Sequence, residues 1–221
     1  MKSEKTIDVA ETKGNIKKKN RLVRAAQIVS QVFHPLYLPL VAFVALFIFT
    51  YLSRLPIQLQ LYLRALIWVF TVLLPRFVIA AYRMLRKWDT RMLGERKNRF
   101  VPYIIVLMSY VALRIVFNIF GTPWYMNSVL SAAINLLLLT ILMNIFIKAS
   151  THIIGWSGFA GGLTAFSLLN GINLTLWVCL VIIICGIVGT ARNILRQHTL
   201  TEIGFSAFFG FCCGMVTVLY L

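Results

Sequence analysis

The sequence predicts an all-α protein, a polytopic integral-membrane bundle of six to seven transmembrane helices. Two observations carry this expectation. First, 60% of the 221 residues are hydrophobic and only 13% are charged, against roughly 45–50% and about 25% in a soluble domain. A soluble chain of this size has no way to bury that much apolar surface. Second, apolar stretches near the length that crosses the hydrocarbon core, about 20 residues, recur seven times between short polar segments. The composition excludes a secreted disulfide module, a disordered tail and an ordinary cytosolic enzyme.

Taken in order, residues 1–32 are polar and basic and end in a mildly amphipathic stretch. No short apolar core or small-residue cleavage site marks a signal peptide, so this segment reads as a cytoplasmic tail. Residues 33–221 form the transmembrane domain. The expected spans are 33–52, 63–82, 101–120, 128–147, 153–169, 173–191 and 203–221, the fifth being short. Pro56, Pro123 and Gly171 stand in three of the connections, where helix breakers belong. There is no internal repeat or low-complexity tract.

Charge gives the orientation. The net charge is +16. Seven spans place the N-terminal tail and residues 83–100, 148–152 and 192–202 on one side of the membrane. That side holds eighteen of the 22 Lys+Arg, and the positive-inside rule makes it cytoplasmic. Basic residues between apolar runs suit anionic headgroups or phosphate rather than nucleic acid. Cys179, Cys185, Cys212 and Cys213 lie inside apolar runs and read as small buried hydrophobes.

Three polar clusters fall on the basic side. The first is Glu95-Arg96-Lys97-Asn98-Arg99-Phe100-Val101-Pro102. The second runs from Lys148 to Gly155 and contains Ser150 and His152; in a continuous helix, Lys148 and His152 share a face. The third runs from Ala191 to Glu202, with Arg192, Arg196 and His198. Two imidazoles, a carboxylate and several cations suit hydrolysis of a phosphate ester. One histidine attacks phosphorus, the other protonates the leaving oxygen, and the carboxylate orients the attacking ring. Arg and Lys neutralise the phosphoryl oxygens.

Over about residues 95–210 the chain resembles the phosphatidic acid phosphatase type 2 superfamily of membrane lipid phosphatases. That family's third motif is Ser-Arg-x5-His-x3-Asp, and here Ala191-Arg192-x5-His198-x3-Glu202 keeps Arg and His in register. Of its second, Pro-Ser-Gly-His, Ser150-Thr151-His152 keeps the Ser and the His. Its first, Lys-x6-Arg-Pro, is met only by Arg99-x2-Pro102, with Arg96 or Lys97 in the place of the lysine. The resemblance implies that His198 is the nucleophile that forms a phosphohistidine, His152 the general acid and Glu202 the orienting carboxylate. Arg192, Arg99, Lys148, Arg96 and Ser150 bind phosphate. It implies no metal and no other cofactor, and membrane lipids as partners with a lipid phosphate as substrate. The charge pattern, not the resemblance, speaks against nucleic acid and for a site on the inner face of what is expected to be a bacterial cytoplasmic membrane.

Other readings stand beside these. Thr199-x-x-Glu202 before an apolar run is a capping-box pattern, and a carboxylate can cap and orient at once. Lys148 and His152 could merely end a helix at the interface. Arg83, Arg86 and Arg91 suit a positive-inside loop, Arg114 can snorkel, and Arg76 after Pro75 could reach the site from below. His34-Pro35 reads as an interfacial anchor. Gly155, Gly158, Gly161 and Gly162, with Gly210-x3-Gly214, suit close helix packing. The functional alternatives are an anionic-lipid-binding or lipid-transporting protein of the same fold, without turnover, and a small transporter or channel, for which the spans hold few polar residues.

Overall fold

The computed structural model describes residues 20–86 and 100–220. Among these residues there is no strand, and seven helices are long and apolar enough to cross a membrane. The protein is an integral membrane protein of all-α architecture.

The helices are α1 (residues 20–32), α2 (Leu38–Phe49), α3 (Ile57–Trp68), α4 (Leu74–Arg86), α5 (Phe100–Ile119), α6 (Trp124–Phe146), α7 (Thr151–Asn170), α8 (Thr175–Ile194) and α9 (Leu200–Leu219). Two spans are composite. A 3₁₀ turn at Pro35–Tyr37 joins α1 to α2, and a π turn at Val69–Leu73 joins α3 to α4. Pro35 and Pro75 lack the N–H that a continuous helix needs.

The first span differs from expectation. Residues 20–32, read as the end of a tail, are helical and run into it, the whole span being Asn20–Phe49. The cause is a stripe: Val23, Ala26, Val29, Ser30 and Phe33 recur at helical spacing, and all are buried or half-buried. Residues 1–19 lie outside the described part. The fifth span is full length, Thr151–Asn170.

Helix α7 is the most buried span and packs against α9, α8, α6 and α2. Its contact with α9 is the most extensive among the described helices. Small residues permit it. A Cβ on Gly161 would overlap the carbonyl oxygen of Phe211, one on Gly214 that of Gly158, and one on Gly210 would lie 2.7 Å from the carbonyl oxygen of Ile154. The glycines that suggested close packing therefore set the spacing between the start of α7, which carries His152, and the start of α9, which His198 precedes.

Candidate functional site

The site lies where α6 and α8 end and α7 and α9 begin, with the end of α1 against it. Three local structures build it.

The first is the α6–α7 break. Ile147 and Ser150 are extended (φ −127°, ψ 156° and φ −94°, ψ 104°). Lys148 and His152 are thus not on one continuous helix, contrary to the four-residue spacing argument. The break frees the Lys148 carbonyl from helical bonding, and His198 takes it. Ser150 is fully buried; its N–H donates to Ser206 Oγ at 3.0 Å, and it is not on the cavity wall described below.

The second is the α8–α9 turn. The N–H of Gln197 donates to Arg192 O (3.1 Å) and that of Arg196 to Asn193 O (2.9 Å). Arg196 has φ 51°. This is a Schellman ending with arginine where glycine is the usual residue. Thr199 then caps α9: its Oγ1 accepts from Glu202 N–H (3.3 Å), and Glu202 Oε2 accepts from Thr199 N–H (3.1 Å). The same Oε2 lies 3.2 Å from His198 Nδ1. Glu202 therefore caps the helix and contacts the imidazole at once.

The third is the end of α1. Its last carbonyls have no intrahelical partner, and α7 supplies two. His152 Nε2 donates to Ser30 O (3.2 Å), and Trp156 Nε1, one turn on, donates to Phe33 O (3.1 Å).

The hydrogen bonds assign the rings. His198 Nδ1 lies 3.2 Å from Lys148 O, which can only accept, so Nδ1 carries the proton and Nε2 the lone pair. Arg192 Nη2 faces that lone pair at 3.5 Å, and its Nη1 donates to Ser30 Oγ at 3.1 Å. Likewise His152 Nε2 carries a proton, leaving Nδ1 with a lone pair and no partner among the described residues. The order His198, Arg192, Ser30, His152 is one connected polar path. All four are buried, His198 to 4% exposure and Arg192 to 9%. Burial and the Arg192 guanidinium hold His198 below the usual imidazole pKa, at about 4, against the opposing pull of Glu202 and the Lys148 carbonyl. The ring is neutral at physiological pH, as a nitrogen nucleophile must be.

A cavity of about 660 Å³ begins at this site. His34, Lys148, His152, Arg192, Arg196 and Gln197 form its polar end, and the rest of its wall is mainly aliphatic and aromatic. His198 and Glu202 are not on its wall. Arg192, on the wall and 3.5 Å from Nε2, is the group that links the ring to the cavity.

Of the expected site residues, the fold brings together His198, Glu202, Arg192, His152 and Lys148. Arg96 and Arg99 lie outside the described residues. Three participants escaped the sequence reading as site residues. Ser30 was one polar residue in a basic segment, and nothing marked it. Arg196 was seen only as part of a cluster; its left-handed backbone has no sequence signature. His34 does more than anchor the chain: its Nδ1 accepts from Leu36 N–H (3.2 Å), and its ring centroid lies 5.4 Å from that of His152. The His-Pro pair was the available signal. Arg76 stops short of the cavity wall, donating to the hydroxyl of Tyr37, whose ring centroid is 6.3 Å from that of His34. Among the described residues, no group of three or more His, Cys, Asp or Glu is arranged to hold a metal ion.

The fold and the span lengths define an integral membrane protein with a buried His–Arg pair, backed by a half-buried glutamate, at one end of the bundle. No family model, no curated protein and no solved structure matches the chain.

Proposed function

We propose that this protein is an integral-membrane phosphohydrolase that cleaves a lipid phosphate or diphosphate through a phosphohistidine on His198. The observation that carries the reading is the setting of that ring. Lys148 O and Glu202 hold its proton on Nδ1, its Nε2 lone pair faces Arg192, and Arg192 lines an amphipathic cavity. The resemblance of Ala191-Arg192-x5-His198-x3-Glu202 to a lipid phosphatase motif supports the same reading.

In this mechanism the headgroup enters at the polar end, where Arg192, Lys148 and Arg196 take the phosphoryl oxygens. Arg192 turns its donors to the phosphoryl group and brings phosphorus against His198 Nε2. Nε2 forms the N–P bond as the P–O bond to the leaving alcohol or phosphate breaks. Glu202 stabilises the charge that develops on the ring. His152 Nε2–H is committed to Ser30 O and its Nδ1 carries only a lone pair, so His152 is not the expected general acid: the leaving oxygen departs beside Lys148 and Arg196 and takes its proton from solvent water. Water then attacks phosphorus, gives its proton to His152, and releases phosphate and free His198. Arg96 and Arg99 are proposed to complete the phosphate site. The distribution of Lys+Arg supports an N-terminus and a site on the cytoplasmic side of a bacterial cytoplasmic membrane.

A second reading, lipid-phosphate binding or transport without turnover, is favoured by one observation: His198 is not on the cavity wall. Phosphate release from a panel of lipid phosphates by detergent-purified protein, without added metal, separates the two. The phosphatase reading expects release that His198→Ala abolishes. Absence of release, or full release by His198→Ala, sinks it.

A further inference from the structure

We infer that the cavity takes a lipid phosphate whose tail runs past the bilayer midplane, so that tail length selects the substrate. This rests on the reading of the polar end as a phosphate site and names the class of molecule that fills the rest.

The argument is one of depth. The cavity wall includes Thr140 near the polar end of α6 and Trp124 at the opposite end. Sixteen residues of helix separate them, about 24 Å at helical rise. On α7 the wall runs from Thr151 to Phe166, about 22 Å by the same rise. One leaflet of a hydrocarbon core of about 30 Å is about 15 Å deep. The walls of two neighbouring helices therefore continue beyond the midplane.

The cavity is also hollowed by composition. Ala42 and Ala45 of α2 and Ala132 and Ala133 of α6 line its middle, where larger residues would narrow it; Gly158 of α7 also lines it, its missing side chain leaving room for Leu136. Two hydroxyls along it are turned inward to their own helices: Ser128 Oγ donates to Trp124 O (3.2 Å) and Thr140 Oγ1 to Leu136 O (2.8 Å), while Tyr103, Tyr110 and Tyr125 add aromatic surface with a hydroxyl each. The surface left for a ligand is mainly aliphatic and aromatic. An apolar space of about 660 Å³ is costly to leave empty, and water finds few partners there. At its mouth stand Lys148, Arg192 and Arg196, and among the described residues no carboxylate lines it. A cationic mouth on a deep apolar shaft complements one occupant, an anionic phosphate on a long tail. A linear isoprenoid chain has such a tail; a chain that ends within one leaflet leaves the far third of the shaft unfilled.

Ala132 stands half-way along the shaft, eight residues from both Trp124 and Thr140. Ala132→Phe plugs it there and leaves the mouth untouched. Two probes share one headgroup chemistry: geranyl phosphate and a long linear polyprenyl monophosphate. Phosphate release and ligand-induced thermal stabilisation are measured for both, with Ile183→Phe on the exposed face of α8 as a control of added bulk. The inference expects the wild type and Ile183→Phe to favour the long probe at least tenfold. Ala132→Phe loses that preference while its handling of geranyl phosphate stays within twofold. A folded Ala132→Phe that keeps the long-tail preference, or a wild type without one, overturns it. If Ala132→Phe does not fold, Ala45→Phe on the facing helix gives the same comparison. Long-tail stabilisation that the plug removes, without phosphate release from either probe, keeps the inference and refutes the phosphatase reading.

Discussion

Glu202→Gln separates the two tasks of one carboxylate. Glu202 Oε2 accepts from Thr199 N–H at 3.1 Å and sits 3.2 Å from His198 Nδ1. A glutamine amide oxygen can accept in the same place, so the capping box survives in shape. What is lost is charge. At the helix N-terminus that charge contributes about 0.3–1 kcal/mol, so the variant melts close to the wild type. At the ring the loss is larger. A unit charge pair at 3.2 Å is worth about 5 kcal/mol at an effective dielectric near 20, and the carboxylate's partial exposure reduces this. A barrier increase of about 3–5 kcal/mol slows turnover by roughly 10²–10⁴-fold. Glu202→Ala removes cap and charge together and costs a further 0.5–2 kcal/mol or so of stability. The assay is phosphate release beside a thermal melt of each variant. Wild-type turnover in Glu202→Gln would refute the orienting role and leave only the cap. Equal destabilisation of the Gln and Ala variants would refute the separation itself.

Three further predictions follow from other parts of the site. Arg196→Gly relieves the left-handed backbone, so stability holds or rises by about 1 kcal/mol, while KM for the phosphate ligand rises tenfold or more; thermal melts and kinetics on one preparation check both. Gly214→Ala drives a methyl into the Gly158 carbonyl and costs about 1–3 kcal/mol, with loss of turnover as α7 and α9 separate, whereas Gly186→Ala, facing open space, leaves the melting point unchanged or higher. The acid limb of kcat/KM lies below the ordinary imidazole range because His198 is held at about 4, and Arg192→Gln, which removes a cation beside the ring, moves that limb upward. The same depressed pKa means that the unfolded chain binds the extra proton first. Stability contributed by neutral His198 is therefore present above about 6.5 and is lost as pH falls from there toward about 4.

The bundle was legible because the bilayer imposes a length and a composition on every span, and both are properties of a linear sequence. The α9 cap was legible for a similar reason: Thr199 and Glu202 are three residues apart, and local geometry does the rest. His198 and Glu202 met as their spacing suggested. Lys148 did not join His152 on one helix, because the chain opens at Ile147–Ser150 and offers the Lys148 carbonyl to His198 instead. Ser30 lay beyond sequence reasoning altogether. Its contacts are with residues 122 and 162 positions away, and only the packing of α1 against α7 creates them. The same holds for His34 beside His152. The glycines of α7 and α9 were visible as a packing signal, but that they also set the spacing of the two histidine-bearing ends required the helices in place. The cavity depends on what is missing, the larger side chains that alanine lacks on α2 and α6, and no single segment displays it.

The central claim, covalent catalysis at His198, is tested most directly by trapping the intermediate. Protein incubated with a headgroup-labelled lipid phosphate and quenched rapidly should carry label that acid releases and alkali does not. His198→Ala should carry none, while His152→Ala should carry label that persists longer, since His152 takes the proton of the water that hydrolyses the N–P bond. Label retained by His198→Ala, or turnover by the wild type with no labelled protein at any quench time, would contradict the account.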